Sequence, residues 1–364
     1  MDKKVYIICQ DYPSDDNKYA MSYVHARVRN YRKIDSKVVS FSAKENYIYE
    51  GVEVLTSEYF EERYLRNLSS NDIIVSHAPN IKNHVRLLNK TKLCKIIFVI
   101  HGHEVLKTKN YYPKPYSWDT KKASFLSNVV QGFYDSAKVA ILRKYFIKLD
   151  KDKRCKFIFV SDWMKKEFLE NIKLKKSFLT RNSEIIFNPC SPEFLNNDYK
   201  HSGNKKYDVI SIRPFDGSKY AVDDIVRLAE RYPQLKFKLY GKGDYFRFNR
   251  KPNNMDVELR FLTPKEIIAK LDSAKLALMP TRLDAQGVMM CEMATYGIPL
   301  ITSDLRICKE MLGSFFNIGY IKNIDEFDMD DFINNIDFNH PIDKSKFDST
   351  FLLEKEENFI LSEW

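Results

Sequence analysis

The sequence predicts an α/β protein made of two consecutive doubly wound units, each a parallel sheet with helices on its faces. Three observations carry this expectation. Short β-branched runs bounded by polar turns alternate with helical stretches, the pattern of parallel strands buried on both sides. The alternation stops over 191–206, which lacks periodicity and holds Asn196-Asn197-Asp198 and His201-Ser202-Gly203-Asn204, and then starts afresh. A chain of 364 residues is also too long for one ordinary domain and about right for two.

Taken in order, the first unit has expected strands at 5–9, 37–41, 73–76, 95–100, 156–160 and 184–187. Helices are expected at 21–32, 58–68 and 82–88. A long helical segment, 121–149, follows the loop Tyr111-Tyr112-Pro113-Lys114-Pro115. In the second unit, strands at 207–212, 236–240, 257–261, 276–279 and 299–302 are expected, with a helix at 222–231. Another helix opens at Thr263-Pro264-Lys265-Glu266, which joins a capping box to a proline at the first helical position.

Composition narrows the class. At 44% hydrophobic and 30% charged the chain is globular, neither disordered nor fibrous. Its apolar runs, such as 96–100, are far shorter than the roughly twenty residues of a membrane span. The apolar run at 5–9 is too short for a secretory signal, so a soluble, cytoplasmic protein is expected. The cysteines (Cys9, Cys94, Cys155, Cys190, Cys291 and Cys308) are scattered, and their spacing suits buried thiols better than disulfides or zinc. The net charge of +10 is uneven: residues 1–200 carry +13 and residues 201–364 carry −3. Such asymmetry suggests a partner that is negative on one side, an anionic membrane, a phosphorylated acceptor or nucleic acid. A solvated lysine-rich surface accounts for it equally.

The segment Pro280-Thr281-Arg282-Leu283-Asp284-Ala285-Gln286-Gly287-Val288-Met289-Met290-Cys291-Glu292 carries the most chemistry. A strand ends in a polar loop, a glycine follows, and a short helix begins near Val288. That helix closes at Gly297, placed as a left-handed cap with Pro299 just beyond. Free N–H groups at such a helix start form an anion site. Asp284 and Glu292 flank it with seven residues between them. Taken alone, they read as a loop cap and an exposed helix residue.

With that spacing, followed by small residues and Gly297-Ile298-Pro299, the segment resembles retaining nucleotide-sugar glycosyltransferases of family 4. The resemblance implies the GT-B architecture, two Rossmann-like doubly wound domains facing each other across a cleft. It implies that Asp284, where Glu is usual, contacts hydroxyls of the donor sugar, and that Glu292 grips the ribose. The amides of Gly287, Val288 and Met289 would hold sugar and phosphate. Arg213-Pro214-Phe215-Asp216-Gly217-Ser218-Lys219 resembles the family's Arg and Lys, six residues apart, that clamp the donor diphosphate. Expelling a nucleoside diphosphate needs such cations. Tyr240-Gly241-Lys242-Gly243-Asp244 resembles a Gly-x-Gly turn beside the nucleotide, although a structural turn explains it too. Arg260-Phe261-Leu262 falls where the base pocket is lined.

In the first half, Ile100-His101-Gly102-His103-Glu104 resembles the strand end that sets a His, here His101, near the transferred sugar. His101 and His103 have no third partner at metal-binding spacing. Asp328-Met329-Asp330 reads as helix N-terminal charge rather than a metal motif. One departure stands out: Asp15-Asp16-Asn17-Lys18 replaces the usual Gly-Gly pair in the first loop, which puts ordinary acceptor binding in doubt.

The resemblance therefore implies an acceptor-side domain at 1–195, a linker at 196–206 and a donor domain at 207–345. A terminal helix, 346–364, would cross back to the first domain. The implied activity is retaining hexosyl transfer from a nucleoside-diphosphate sugar, UDP favoured over GDP, with no cofactor and no metal. The acceptor would be a lipid-linked or polysaccharide glycan in bacterial surface polysaccharide synthesis (capsule, exopolysaccharide or O-antigen). The basic first half, with its 121–153 stretch, would suit docking at the inner face of the plasma membrane. Nucleic acid is not expected, since no binding module is present and the phosphate-binding features lie in the other half. Asp284 and the missing Gly-Gly pair support a second reading, a non-catalytic GT-B-fold subunit that binds glycan or stabilises a partner.

Overall fold

The computed structural model describes residues 3–119, 125–180 and 182–364, the side chains of 125–128 excepted. In the first sheet β1 (Val5–Cys9), β2 (Ser36–Ser40), β3 (Tyr47–Tyr49), β4 (Val52–Thr56), β5 (Ile73–His77), β6 (Lys95–Ile100), β7 (Cys155–Phe159) and β8 (Ser183–Ile185) lie in the order β3-β4-β2-β1-β5-β6-β7-β8. Among the described residues only the β3–β4 pairing of this sheet is antiparallel. The second sheet holds β9 (Tyr207–Ile212), β10 (Phe237–Tyr240), β11 (Met255–Glu258), β12 (Ala274–Met279), β13 (Leu300–Ser303) and β14 (Ile318–Ile321). Its order is β11-β10-β9-β12-β13-β14, and its pairings are parallel.

The strands follow their composition. β1, β5 and β7 are buried at every position, Ser76, His77 and Lys156 included, as strands covered by helices on both faces must be. Both sheets reverse their winding once, between β1 and β5 and between β9 and β12. In open α/β sheets the crevice at the carboxyl end of that reversal takes the ligand. In the second sheet the reversal brings the loop that starts at Arg213 beside the loop that starts at Pro280.

Several expectations needed correction. The 47–56 hairpin was not anticipated, because its two-residue turn is Glu50-Gly51, with φ +45° and +85°. Such turns usually advertise themselves with Asn or Asp before the Gly. β14, only four residues long, was also missed. β11 begins at Met255, not 257, because the Asn254 amide pins its start to the backbone oxygens of Ala229, Tyr232 and Leu235. The helix expected over 21–32 stops at Val28. The predicted start of the long helix lies outside the described residues; its described part is Phe125–Lys151.

The chain forms two compact units, one of residues 1–110, 130–189 and 350–364, the other of 111–129 and 190–349. The expected linker is therefore part of the second unit. The Tyr199 N–H donates to the Tyr296 carbonyl and its hydroxyl to that of Ala274 (2.6 Å), and Lys344 Nζ reaches the Asn197 carbonyl at 2.6 Å. The Tyr/Pro-rich loop also joins this unit: Trp118 stacks between Tyr116 (4.4 Å) and Phe248 (5.7 Å). At the other end, the helix Ser349–Leu361 packs into the first unit, with Leu352 and Ile360 in the core around β1. No described helix is long and apolar enough to cross a membrane. All six cysteines are buried and unpaired with one another.

Candidate functional site

The second unit gathers most of the residues singled out from the sequence. Arg213, directly after β9, is only 7% exposed. Its Nη1 donates to the carbonyls of Tyr220 and Pro280, so one side chain ties the loops after β9 and β12 together. Its Nε is buried with no protein partner. Burial lowers its pKa to about 10, with the nearby Asp284 carboxylate opposing the shift, so the guanidinium stays charged at neutral pH. Gly241, after β10, is obligatory: a Cβ there would lie 1.8 Å from the Arg213 carbonyl oxygen. The Asp216 carboxylate then accepts the Asp244 N–H at 2.7 Å, which knits the loops of two adjacent strands.

Lys219 sits in the turn Ser218–Tyr220, its Nζ 4.8 Å from the centre of the Tyr220 ring. Its carbonyl accepts from the Arg282 N–H (2.9 Å) and the Thr281 hydroxyl (3.1 Å). A group not anticipated from the sequence buttresses this turn. Arg282 grips Asp223 through two hydrogen bonds (2.8 and 2.7 Å), reaches Asp224 at 2.9 Å and donates to the Ser218 carbonyl. Tyr116 donates to the same Asp223 carboxylate at 2.7 Å. Burial opposes the charge on Asp223, but these donors outweigh it and hold the carboxyl below its usual range. In the sequence, Asp223-Asp224 looks only like helix N-terminal charge, which hides their partner.

Asp284 has a local role. Its Oδ1 accepts the N–H groups of Ala285 (2.8 Å), Gln286 (3.1 Å) and Gly287 (2.8 Å), so the carboxylate caps its own loop. This corrects the expectation that the Gly287 amide serves a ligand, because Asp284 already occupies it. Gly287, at φ +71°, turns the chain into the helix Val288–Tyr296. The amides of Val288 and Met289 open that helix and have no intrahelical acceptor, as helix geometry requires.

Glu292 is not an exposed helix residue. It is 8% exposed and accepts the Ser191 N–H at 3.1 Å. Desolvation raises its pKa to about 7, against the opposing pull of that bond. An acid whose pKa is raised by folding supports stability fully below its unfolded value, about 4.5, and loses that contribution as pH climbs through 7. Glu292→Gln should therefore match the parent protein near pH 4.5 and exceed it at pH 8 by about 3 kcal/mol. Urea unfolding across that pH range checks this; parallel profiles for the two proteins would refute the assignment.

His101 belongs to the first unit, one residue beyond β6. Its N–H and that of Gly102 donate to the Glu104 carboxylate, the latter at 2.9 Å. Its ring Nε2 pairs with Nδ1 of His77 at 3.1 Å, and the Tyr23 ring lies 4.6 Å away. Burial first, then His77 and Arg27, push its pKa well below the usual histidine range, so the ring is neutral at pH 7. His103 points to solvent, its side chain 64% exposed. Neither His77 nor Tyr23 was singled out from the sequence; the only signal was a His closing a β-branched strand.

No family model matches the sequence, and no curated protein matches it. Solved structures do match in fold. Anabaena HepE, determined with UDP and glucose, aligns over the full length of both chains with a TM-score of 0.63 at 11% identity. TarM, from S. aureus, aligns over 84% of this chain with a TM-score of 0.53 at 16% identity. The pneumococcal O-GlcNAc transferase GtfA aligns over 87% with a TM-score of 0.52 at 13% identity. The fold is GT-B. This chain spans 58% of the length of TarM and 62% of that of GtfA. At these identities the likeness establishes the GT-B fold and leaves the family within it open. Within this GT-B chain, Arg213, Lys219, Gly241, Asp284 and the Val288–Tyr296 helix share the second unit, and His101 belongs to the first.

Proposed function

We propose that the protein is a retaining glycosyltransferase that moves a hexose from a nucleoside-diphosphate sugar to a hydroxyl of a glycan. The observation that carries this reading is Arg213: a buried cation at the winding reversal of the second sheet, with an unpartnered Nε. Arg213 and Lys219 would stabilise the diphosphate as it leaves, in the low-dielectric setting where such charges act most strongly. The Val288 and Met289 amides, at a helix N-terminus, would hold phosphate or sugar oxygens. Glu292 would accept from the ribose hydroxyls, and Asp284 would keep the intervening loop in shape. His101, being neutral, can donate or accept a hydrogen bond to the sugar but cannot act as a cation. With no carboxylate nucleophile assigned, front-face attack assisted by the leaving phosphate fits this residue set, and the reading requires no metal.

The uridine nucleotide present with HepE and GtfA favours UDP as the leaving group. The acceptor is read as a lipid-linked or polysaccharide glycan of a bacterial surface polymer, and membership of family 4 belongs to the same proposal. Thermal unfolding with UDP, GDP, ADP and their sugars tests the donor. Stabilisation by the uridine ligands should reach about 2.7 kcal/mol at a hundredfold excess over Kd. A flat response to the whole panel from folded protein would remove the reading. The loop-cap role of Asp284 and the absent Gly-Gly pair favour the non-catalytic alternative. Binding of UDP-sugar without slow hydrolysis or transfer to any glycan would select it.

A further inference from the structure

The proposed function gives no role to the outer face of the long helix Phe125–Lys151. Its inner face builds the first unit: Leu142, Phe146 and Leu149 are buried, and the Phe146 ring lies 4.9 Å from Phe98 and 5.1 Å from Phe157. A helix so packed is ordinarily polar on its other side. Here Phe133 is 75% exposed and Val130 66%, and Tyr134, Ala137 and Ile141 are exposed as well. Positions 130, 133, 137, 141, 144 and 148 follow one another along a single outward stripe at helical spacing. The first part of that stripe is apolar over about 17 Å. Its continuation is Lys144 and Lys148.

The charges are as one-sided as the apolar groups. The exposed charged side chains of this helix are Arg143, Lys144, Lys148 and Lys151, all cations. Its two acids are turned inward: Asp135 is buried and bonded to the Thr108 N–H (2.6 Å) and to Lys138 (3.0 Å), and Asp150 is half-buried near Asn182. We propose that this face docks the protein on an anionic lipid bilayer. Val130, Phe133 and Ile141 enter the boundary between head groups and acyl chains, and Arg143, Lys144, Lys148 and Lys151 meet the lipid phosphates. A second copy of the chain fits less well. Antiparallel pairing would set the lysines over Val130 and Phe133 with no carboxylate to receive them, and parallel pairing would bring cation against cation. A bilayer offers the apolar layer and the anions together. The proposal goes beyond the glycosyltransferase reading and does not rest on it.

Sedimentation of the full chain with vesicles tests it without any activity assay. Binding is expected to phosphatidylcholine mixed with phosphatidylglycerol, weakened by salt, and not to phosphatidylcholine alone. Val130→Ser with Phe133→Ser and Ile141→Ser should weaken partitioning about tenfold or more. Lys144→Gln with Lys148→Gln should weaken it about fivefold for each lysine. These side chains are exposed, so an unchanged melting temperature separates lost binding from lost folding. Failure of the parent protein to sediment with anionic vesicles would overturn the proposal, as would equal sedimentation of the parent and both variants. So would a dimer that the triple serine variant dissociates while the parent ignores vesicles.

Discussion

Arg213→Ala should abolish the stabilisation given by nucleoside diphosphates and cut kcat for sugar transfer by about 10²–10³-fold. The size of the effect follows from position. The guanidinium is buried, keeps its charge, and is held at a fixed place by the Tyr220 and Pro280 carbonyls. On the proposed reading, it would not need to reorganise as the diphosphate leaves. Arg213→Lys would keep the charge but lose the planar fork, and should recover only part of the activity. Because Arg213 also knits two loops, Lys219→Ala is the cleaner companion. Its side chain contacts the Tyr220 ring and holds no backbone group, so it should lose donor binding with little change in melting temperature. If both variants fold and bind UDP like the parent, the diphosphate clamp is wrong.

The second large effect concerns folding. Glu356→Ala should cost about 3–5 kcal/mol, because it strands a buried guanidinium. Arg27 and Glu356 are both fully buried and paired, joining the helix Ser22–Val28 to the terminal helix Ser349–Leu361. Arg27 also donates to the Phe187 carbonyl (3.2 Å) and the Asn188 side chain (3.0 Å), and Tyr31 donates to Glu356 at 2.8 Å. Against a total stability of about 5–15 kcal/mol, that loss is a large share. Replacing both partners together, Arg27→Met with Glu356→Leu, should return most of it, since no charge is left unpaired. Urea unfolding of the single and double variants measures the difference. A single variant within about 1 kcal/mol of the parent would show that the pair carries little of the fold's stability.

Some features were legible because their causes are local. The bounds expected for the strands at 5–9, 95–100 and 207–212 and the helix at 222–231 coincide with those found. Continuous apolar runs have no alternative in water. Thr263 and Glu266 form the capping box their spacing announces, and Asp328 caps the helix Met329–Asn334 by accepting the Asp331 N–H. Gly297 closes its helix at φ +91°, a left-handed conformation that glycine adopts most easily. Each of these depends on residues a few positions apart, or on a backbone conformation that one residue type adopts most easily.

Other features depended on partners far along the chain. The helix that begins at Ser22 ends early because the Glu357 carboxylate, more than 320 positions away, takes the N–H groups of Arg32, Lys33 and Ile34. Residues 191–206 look like a linker until Tyr199 and Lys344 are seen to bind them into the second unit. Sequence spacing marked Glu292 and Asp284 as carboxylates beside a helix start, but not that one is buried against Ser191 and the other folded onto its own loop.

The order of residues along the chain is enough to set the alternation of strands and helices, the caps, and the basic and glycine residues at the strand ends. Hydrogen bonds and apolar periodicity within a few residues are enough to specify these. Which charges are buried, which are paired and which remain free for a ligand is set by contacts between residues far apart in the chain. Burial and pairing are properties of atoms brought together by the fold, and a free energy of desolvation has no counterpart in the order of residues along the chain.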